Sequence, residues 1–93
     1  MNSNSVFRVS DEVVGREVGG ETVLLNLSSG LYFGLDSVGG EIWQLLEDEP
    51  RSFAKLCDEI DNVYDAPRTR IEADMKNLLK DLLDKELVEL VGD

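Results

Sequence analysis

The apolar period of this chain changes at Leu35, from every second residue before it to helical spacing after it. That order restricts the fold to a short sheet leading into a helical half. Upstream, Val13-Val14 and Arg16-Glu17-Val18 are separated by Gly19-Gly20 from the run Glu21-Thr22-Val23-Leu24-Leu25-Asn26-Leu27. A glycine pair between two such runs predicts a hairpin, because both central positions of a tight turn can take positive φ. Ser28-Ser29-Gly30 predicts a second turn, closed by a left-handed glycine. Leu31-Tyr32-Phe33-Gly34-Leu35 then reads as a third strand. Val23, Leu25 and Leu27 share one face, as do Leu31, Phe33 and Leu35. Period 2 turns both sets towards a core and leaves Asn26 and Tyr32 opposite. The expectation is a three-stranded antiparallel meander over residues 12–35.

Downstream, Asp36 or Ser37 is placed to cap a helix through Val38, Ile42, Trp43, Leu45 and Leu46. Gly39-Gly40 cost that helix roughly 1 kcal/mol each against alanine, which predicts a close approach by a neighbouring element. Glu47-Asp48-Glu49-Pro50-Arg51 breaks it. Ser52 then caps a second helix that turns Phe53, Leu56, Cys57 and Ile60 inward. Pro67 sits in the first turn of a third helix reaching Lys85. Ile71, Met75, Leu78, Leu79, Leu82 and Leu83 form its broad apolar face. Leu87, Val88, Leu90 and Val91 read as a short extended tail. The fold class is therefore α+β, winged helix-turn-helix-like, with a three-stranded antiparallel sheet followed by three helices. Residues 1–11 are expected to be a mobile N-terminal segment, and residues 12–91 a single domain.

Composition removes several function classes. There is no histidine and one cysteine, Cys57, so no Ser-His or Cys-His pair and no internal disulfide can form. Cys57 lies in an apolar run and reads as a buried core residue. Nine basic against twenty acidic residues give a net charge of −11, which opposes contact with nucleic acid or an anionic membrane and favours a basic partner. A third helix carrying Asp74, Asp81 and Asp84 would repel phosphates. No apolar run approaches the roughly 20 residues needed to span a bilayer, and the N-terminus lacks a signal pattern, so a cytoplasmic location is expected. No cofactor or metal is expected.

The tetrapeptide Gly34-Leu35-Asp36-Ser37 raises an alternative, an acyl or peptidyl carrier protein modified at Ser37. A phosphodiester there would lie at a helix N-terminus, where free N–H groups and the dipole favour it. Such carriers place a long amphipathic helix before the serine. Here Gly15, Gly19-Gly20 and Ser28-Ser29-Gly30 interrupt any helix in that position.

The run Val23-Leu24-Leu25-Asn26-Leu27-Ser28-Ser29-Gly30-Leu31-Tyr32-Phe33-Gly34-Leu35-Asp36-Ser37-Val38-Gly39-Gly40-Glu41-Ile42-Trp43-Gln44-Leu45-Leu46 resembles the PqqD-like family. The shared order is aliphatic strand, glycine-ended turn, aromatic strand, Leu-Asp, small residues, Ile-Trp and a Leu-Leu pair. A Tyr-Asp before the third helix also fits. Members include the chaperone of pyrroloquinoline quinone synthesis and the leader-recognition proteins of lasso peptide pathways. The resemblance implies a RiPP recognition element, not an enzyme. Such a domain holds the leader of a ribosomally made precursor while a partner, a cysteine protease or a radical enzyme, modifies or cleaves it. A stand-alone acidic chain leans towards the lasso type.

The resemblance also implies that the leader adds as a strand along the third strand, against the third helix. Carried onto this sequence, Leu31, Tyr32, Phe33, Gly34 and Leu35 supply the edge. That run contains neither charge nor proline to block pairing, so the edge would be covered, used by a partner or paired in a homodimer. At 100° per residue from Ile71, Asp74, Asn77, Leu78, Asp81 and Leu82 lie along one margin of the third helix. That margin is taken as the groove wall. The opposite margin (Glu72, Met75, Leu79, Leu83) is amphipathic too. Trp43 reads as core, and Tyr32 as a groove candidate.

Overall fold

The computed structural model describes residues 1–92, in two three-stranded antiparallel sheets and three helices. In chain order the elements are β1 (Val6–Val9), β2 (Val13–Val18), β3 (Glu21–Asn26), β4 (Tyr32–Leu35) and α1 (Ser37–Asp48), followed by β5 (Arg51–Ser52), α2 (Phe53–Val63), α3 (Arg68–Asp84) and β6 (Val88–Gly92). The meander is present as the sheet β2-β3-β4. Gly19, Gly20 and Gly30 all have positive φ, as their two turns require. The α+β class holds, but half of the strands lie outside the expected meander.

Those additional strands form the sheet β5-β1-β6. Residues 6–9 were expected within a mobile segment and are instead a central strand. Phe7 is fully buried, opposite Arg51 on one side and Leu90 on the other. The preceding residues have a structural task as well. The carbonyls of Ser5 and Ser3 accept from the amides of Phe53 (2.8 Å) and Ala54 (3.1 Å), at the N-terminus of α2 where no intrahelical acceptor exists. The apolar tail Leu87–Val91 is likewise drawn into pairing as β6.

A second correction concerns β3. Thr22, Leu24 and Asn26 turn inward, while Val23 and Leu25 are half-buried on the other face and Leu27 is exposed. Asn26 is inside because its side chain has local work. Its Oδ1 accepts from the amides of Ser28 (2.9 Å) and Ser29 (3.1 Å), and its carbonyl accepts from Gly30 (2.8 Å), which closes the turn to β4. Thr22 meets α1 at Gly40, where a Cβ would stand 2.6 Å from the Thr22 hydroxyl. The close approach expected at Gly39-Gly40 is thus made by side chains of β3 and β4, since a Cβ on Gly39 would lie 3.2 Å from that of Leu35.

The helices follow their sequence signals. Asp36 caps α1, accepting from the Gly39 amide at 2.8 Å, and Ser52 caps α2, accepting from Lys55 at 3.1 Å. Arg68 joins α2 to α3 through Asp58 (2.8 Å), Asp61 (3.4 Å) and Glu72 (3.0 Å). At the end of α3, Glu86 takes φ 58° while the Leu87 amide donates to the Leu82 carbonyl and the Glu86 amide to Leu83. This is a Schellman closure with a non-glycine residue at its left-handed position. The core runs from Phe7 through Leu24, Trp43, Leu56 and Leu79 to Leu82 and Leu87.

Candidate functional site

β4, the third strand of the meander, is an edge strand. Its register on β3 pairs Leu35 with Thr22, Gly34 with Val23, Phe33 with Leu24 and Tyr32 with Leu25. The Asn26 amide donates to the Leu31 carbonyl at 3.0 Å, which fixes the phase of the ladder. In an antiparallel pair the bonded residues alternate, so the backbone groups of Phe33 and Leu35 face β3. Those of Tyr32 and Gly34 face the open edge. Period 2 governs the side chains as well. Phe33 and Leu35 turn inward, while Tyr32 points to the outer face of the sheet and is 72% exposed.

Beside this edge lies a cavity of about 440 Å³. One wall is Phe33, Gly34 and Leu35, and the opposite wall is Ile71, Asp74, Met75 and Leu78 of α3. Val38, Gly39 and Ile42 of α1 form part of it, and Ile60, Tyr64 and Ala66 complete the α2 end. A second hollow of about 340 Å³ continues past Phe33 between Leu31, Tyr32 and the α3 terminus at Asp84–Leu87. Phe33 lines both. Lys85 holds its ammonium 5.1 Å from the centre of that ring, within cation–π range.

The first cavity is apolar with an acidic mouth. Asp36 and Asp74 line it. Partial burial, followed by the carboxylates of Glu41 and Asp36, pushes the Tyr64 phenol above its ordinary pKa. Tyr64 is therefore a neutral hydrogen-bond donor among anions at neutral pH. Asp74 shares a loose 3.6 Å pair with Arg70, both largely exposed, so its charge remains available.

Of the ten residues taken from the sequence as the site, Phe33, Gly34, Leu35, Asp74 and Leu78 line the larger cavity. Leu31 and Tyr32 line the smaller one, together with Phe33. Asn77 and Asp81 are exposed on α3 but line neither. Leu82 does not belong with them. It is fully buried, because the broad apolar face of α3 is shared between core and cavity and Leu82 falls on the core side. Met75, from the opposite margin of α3, is also a lining residue. The margins thus contribute jointly. Tyr64, Ala66 and Lys85 were not singled out as site residues, although Tyr64-Asp65 before a proline-started helix marks the bend that brings Tyr64 and Ala66 to the larger cavity. Lys85 lines the smaller one from the far end of α3.

Ser37 is the first residue of α1 and is exposed. Four strands precede it, three of them forming the meander where a carrier protein would have a helix, so the carrier alternative lacks its scaffold. Among the described residues, no group of three or more histidine, cysteine or acidic side chains is arranged to hold a metal ion. No described helix is long and apolar enough to cross a membrane. Burial pushes the Cys57 thiol up to about 11, despite the opposing charge of Arg68, so it is not a nucleophile at neutral pH.

The family described as coenzyme PQQ synthesis protein D (PqqD) matches residues 21–88, which span β3 to the start of β6. A search of curated proteins finds no match. Among solved structures, TbiB1 in complex with the TbiA(beta) leader peptide is similar, with 41% identity and a TM-score of 0.83. The match covers 92% of this chain and 99% of that one. A lasso peptide synthetase B1 complexed with the leader peptide matches at 28% identity and a TM-score of 0.78, covering 89% of this chain and 96% of that one.

Proposed function

The chain belongs to the PqqD family, and from that premise we propose that it binds the leader segment of a ribosomally synthesised precursor peptide. The observation that carries this reading is the open edge of β4 running beside an apolar cavity of about 440 Å³. In this reading the leader adds as a fourth strand to β2-β3-β4. The free backbone groups of Tyr32 and Gly34 give affinity with little sequence demand, and the cavity between Phe33 and Leu78 selects among side chains. Asp36 and Asp74 favour a basic residue beside the apolar anchor, and Asn77 and Asp81 meet leader residues that leave the cavity along α3.

The chain acts as the non-catalytic partner of a maturation enzyme. Holding the precursor beside that enzyme converts a bimolecular encounter into a local one, at effective concentrations that reach the millimolar range for short tethers. Both similar structures are complexes with leader peptides and one of them is a lasso peptide synthetase B1, which favours a lasso-type route over quinone cofactor synthesis. A cysteine protease is then the expected enzyme. Without leader, the same edge would be open to a second copy of the chain.

Titration of fluorescently labelled leader peptide into the purified chain tests the reading. Saturable binding is expected, with amide shifts concentrated on residues 31–35 and on Asp74 and Leu78. Absence of saturation would overturn leader binding, and saturation without shifts in β4 would overturn strand addition.

A further inference from the structure

The solvent face of the sheet β2-β3-β4 is apolar where a one-sided antiparallel sheet ordinarily presents polar residues to water. Because β3 turns Thr22 and Asn26 inward, its aliphatic residues Val23 and Leu25 lie on the outside. The register aligns them into rows. Val14, Leu25 and Tyr32 form one row, and Arg16, Val23 and Gly34 the next. Val14 is 51% exposed and Val18, further along the same strand face, 57%. Nothing lies within 4 Å of a Cβ position at Gly34, so the second row ends in a notch.

Arg16 is the charge in this apolar field. Among the described residues, Arg8, Arg51, Arg68 and Arg70 each have a carboxylate within 4 Å, and Arg16 alone among the arginines has none. An unpaired guanidinium is notable on a chain with twenty acidic residues. The carboxylates of Glu21, opposite Val18, and of Glu12, opposite Leu27, belong to the corners of the same face. Two copies meeting face to face would bring these corners together, each on a chain of net charge −11.

We propose that this face docks the enzyme that acts on the bound leader, through an apolar patch on that enzyme bearing an aspartate or glutamate for Arg16. This rests on the leader-binding reading above. Charge complementarity names the partner's chemistry, and apolar surface surrounding a charge pair keeps water from it. Position supplies the rest. Tyr32 belongs to the outer face by its side chain and to the open edge by its backbone. An enzyme seated on the face therefore lies next to the strand position the leader occupies, without covering the cavity on the opposite face.

The test uses the full chain loaded with labelled leader peptide and a purified leader-cleaving cysteine protease of the lasso type proposed above. Wild type is compared with Arg16→Glu and with the double variant Val14→Ser/Val18→Ser, whose side chains are more than half exposed and whose melting is followed as a check on folding. Leader affinity is expected to stay within about twofold, while protease affinity falls by about tenfold or more. Unchanged protease affinity with leader still bound, or no protease binding by wild type, would overturn the proposal and leave leader binding intact. A wild-type dimer that Arg16→Glu dissociates would assign the face to a second copy and overturn it as well. Failure of wild type to bind leader removes the reading on which it rests.

Discussion

Trp43 packs directly under Gly15, with its indole nitrogen 2.6 Å from where a Cβ on residue 15 would stand. Trp43 is buried, and its Nε1–H has no acceptor among the described residues. Helix α1 thus reaches the sheet by pressing an aromatic ring against bare backbone. Gly15→Ala must push the ring or the strand aside, at a cost of about 1–3 kcal/mol. Chemical denaturation followed by Trp43 fluorescence checks this, since Trp43 is the sole tryptophan. An unchanged midpoint would show that the contact relaxes freely.

Gly34→Pro separates strand addition from side-chain recognition. Proline removes an amide that points to the open edge and takes no part in the ladder with β3, so the fold tolerates it. Leader affinity is expected to fall about tenfold, the equivalent of roughly 1.4 kcal/mol, with little change in melting temperature. Fluorescence anisotropy measures the first and circular dichroism the second.

Two leucines one helical turn apart should respond oppositely. Leu78 lines the cavity and is half-buried, whereas Leu82 is fully buried in the core. Leu82→Ala is expected to cost about 2–5 kcal/mol of stability. Leu78→Ala should lower leader affinity severalfold while costing less stability than Leu82→Ala. Parallel denaturation and titration series distinguish them.

Glu86 holds the left-handed position of the α3 terminus, a conformation that costs a side-chain-bearing residue roughly 1–2 kcal/mol. Glu86→Gly should raise stability by up to about 1 kcal/mol, after the entropy cost of glycine in the unfolded chain. A thermal melt gives the answer, and a lowered midpoint would show that Glu86 makes a compensating contact.

Cys57 gives a pH dependence with a definite sign. Burial raises its pKa from 9.0 to about 11, so the folded state prefers the protonated thiol. The contribution is fully present below the unfolded pKa. It is lost as pH rises towards the folded one, at about 1.4 kcal/mol per pH unit between 9.0 and about 11. Cys57→Ala should flatten that alkaline limb in denaturant midpoints measured against pH. A thiol reagent at pH 8 should modify wild type only on unfolding.

The sequence was most informative where its signals are local. Turn glycines, Asp36 and Ser52 as caps, Pro67 and the apolar spacing of α3 all act within a few residues, and each leads to the observed element. Period 2 located β3 but left two faces to choose between. Hydropathy chose the wrong one, because Asn26 is needed inside for its turn and Thr22 for its contact with Gly40. Residues 6–9 gave no local sign of pairing, since their partners lie at Arg51–Ser52 and Val88–Gly92. For the candidate site, the edge from Leu31 to Leu35 was legible from its lack of charge and proline. The division of α3 between core and cavity was not, as it depends on how the helix is rotated against α2 and β6.

The pairing of β1 with β6 also bears on how the chain comes to be folded during synthesis. Phe7 is paired with Leu90, more than 80 positions later in the chain. The meander and α1 can assemble on the ribosome, because their contacts are near in sequence. The β6 side of Phe7 must wait until residues 88–92 have been made, although α1 and β5 can meet β1 earlier. Such long-range closure is slow and leaves apolar surface open to wrong partners. Cutting Val88–Gly92 from the chain would therefore also open one side of β1, leaving it paired only with the two residues of β5, far in sequence from the cut.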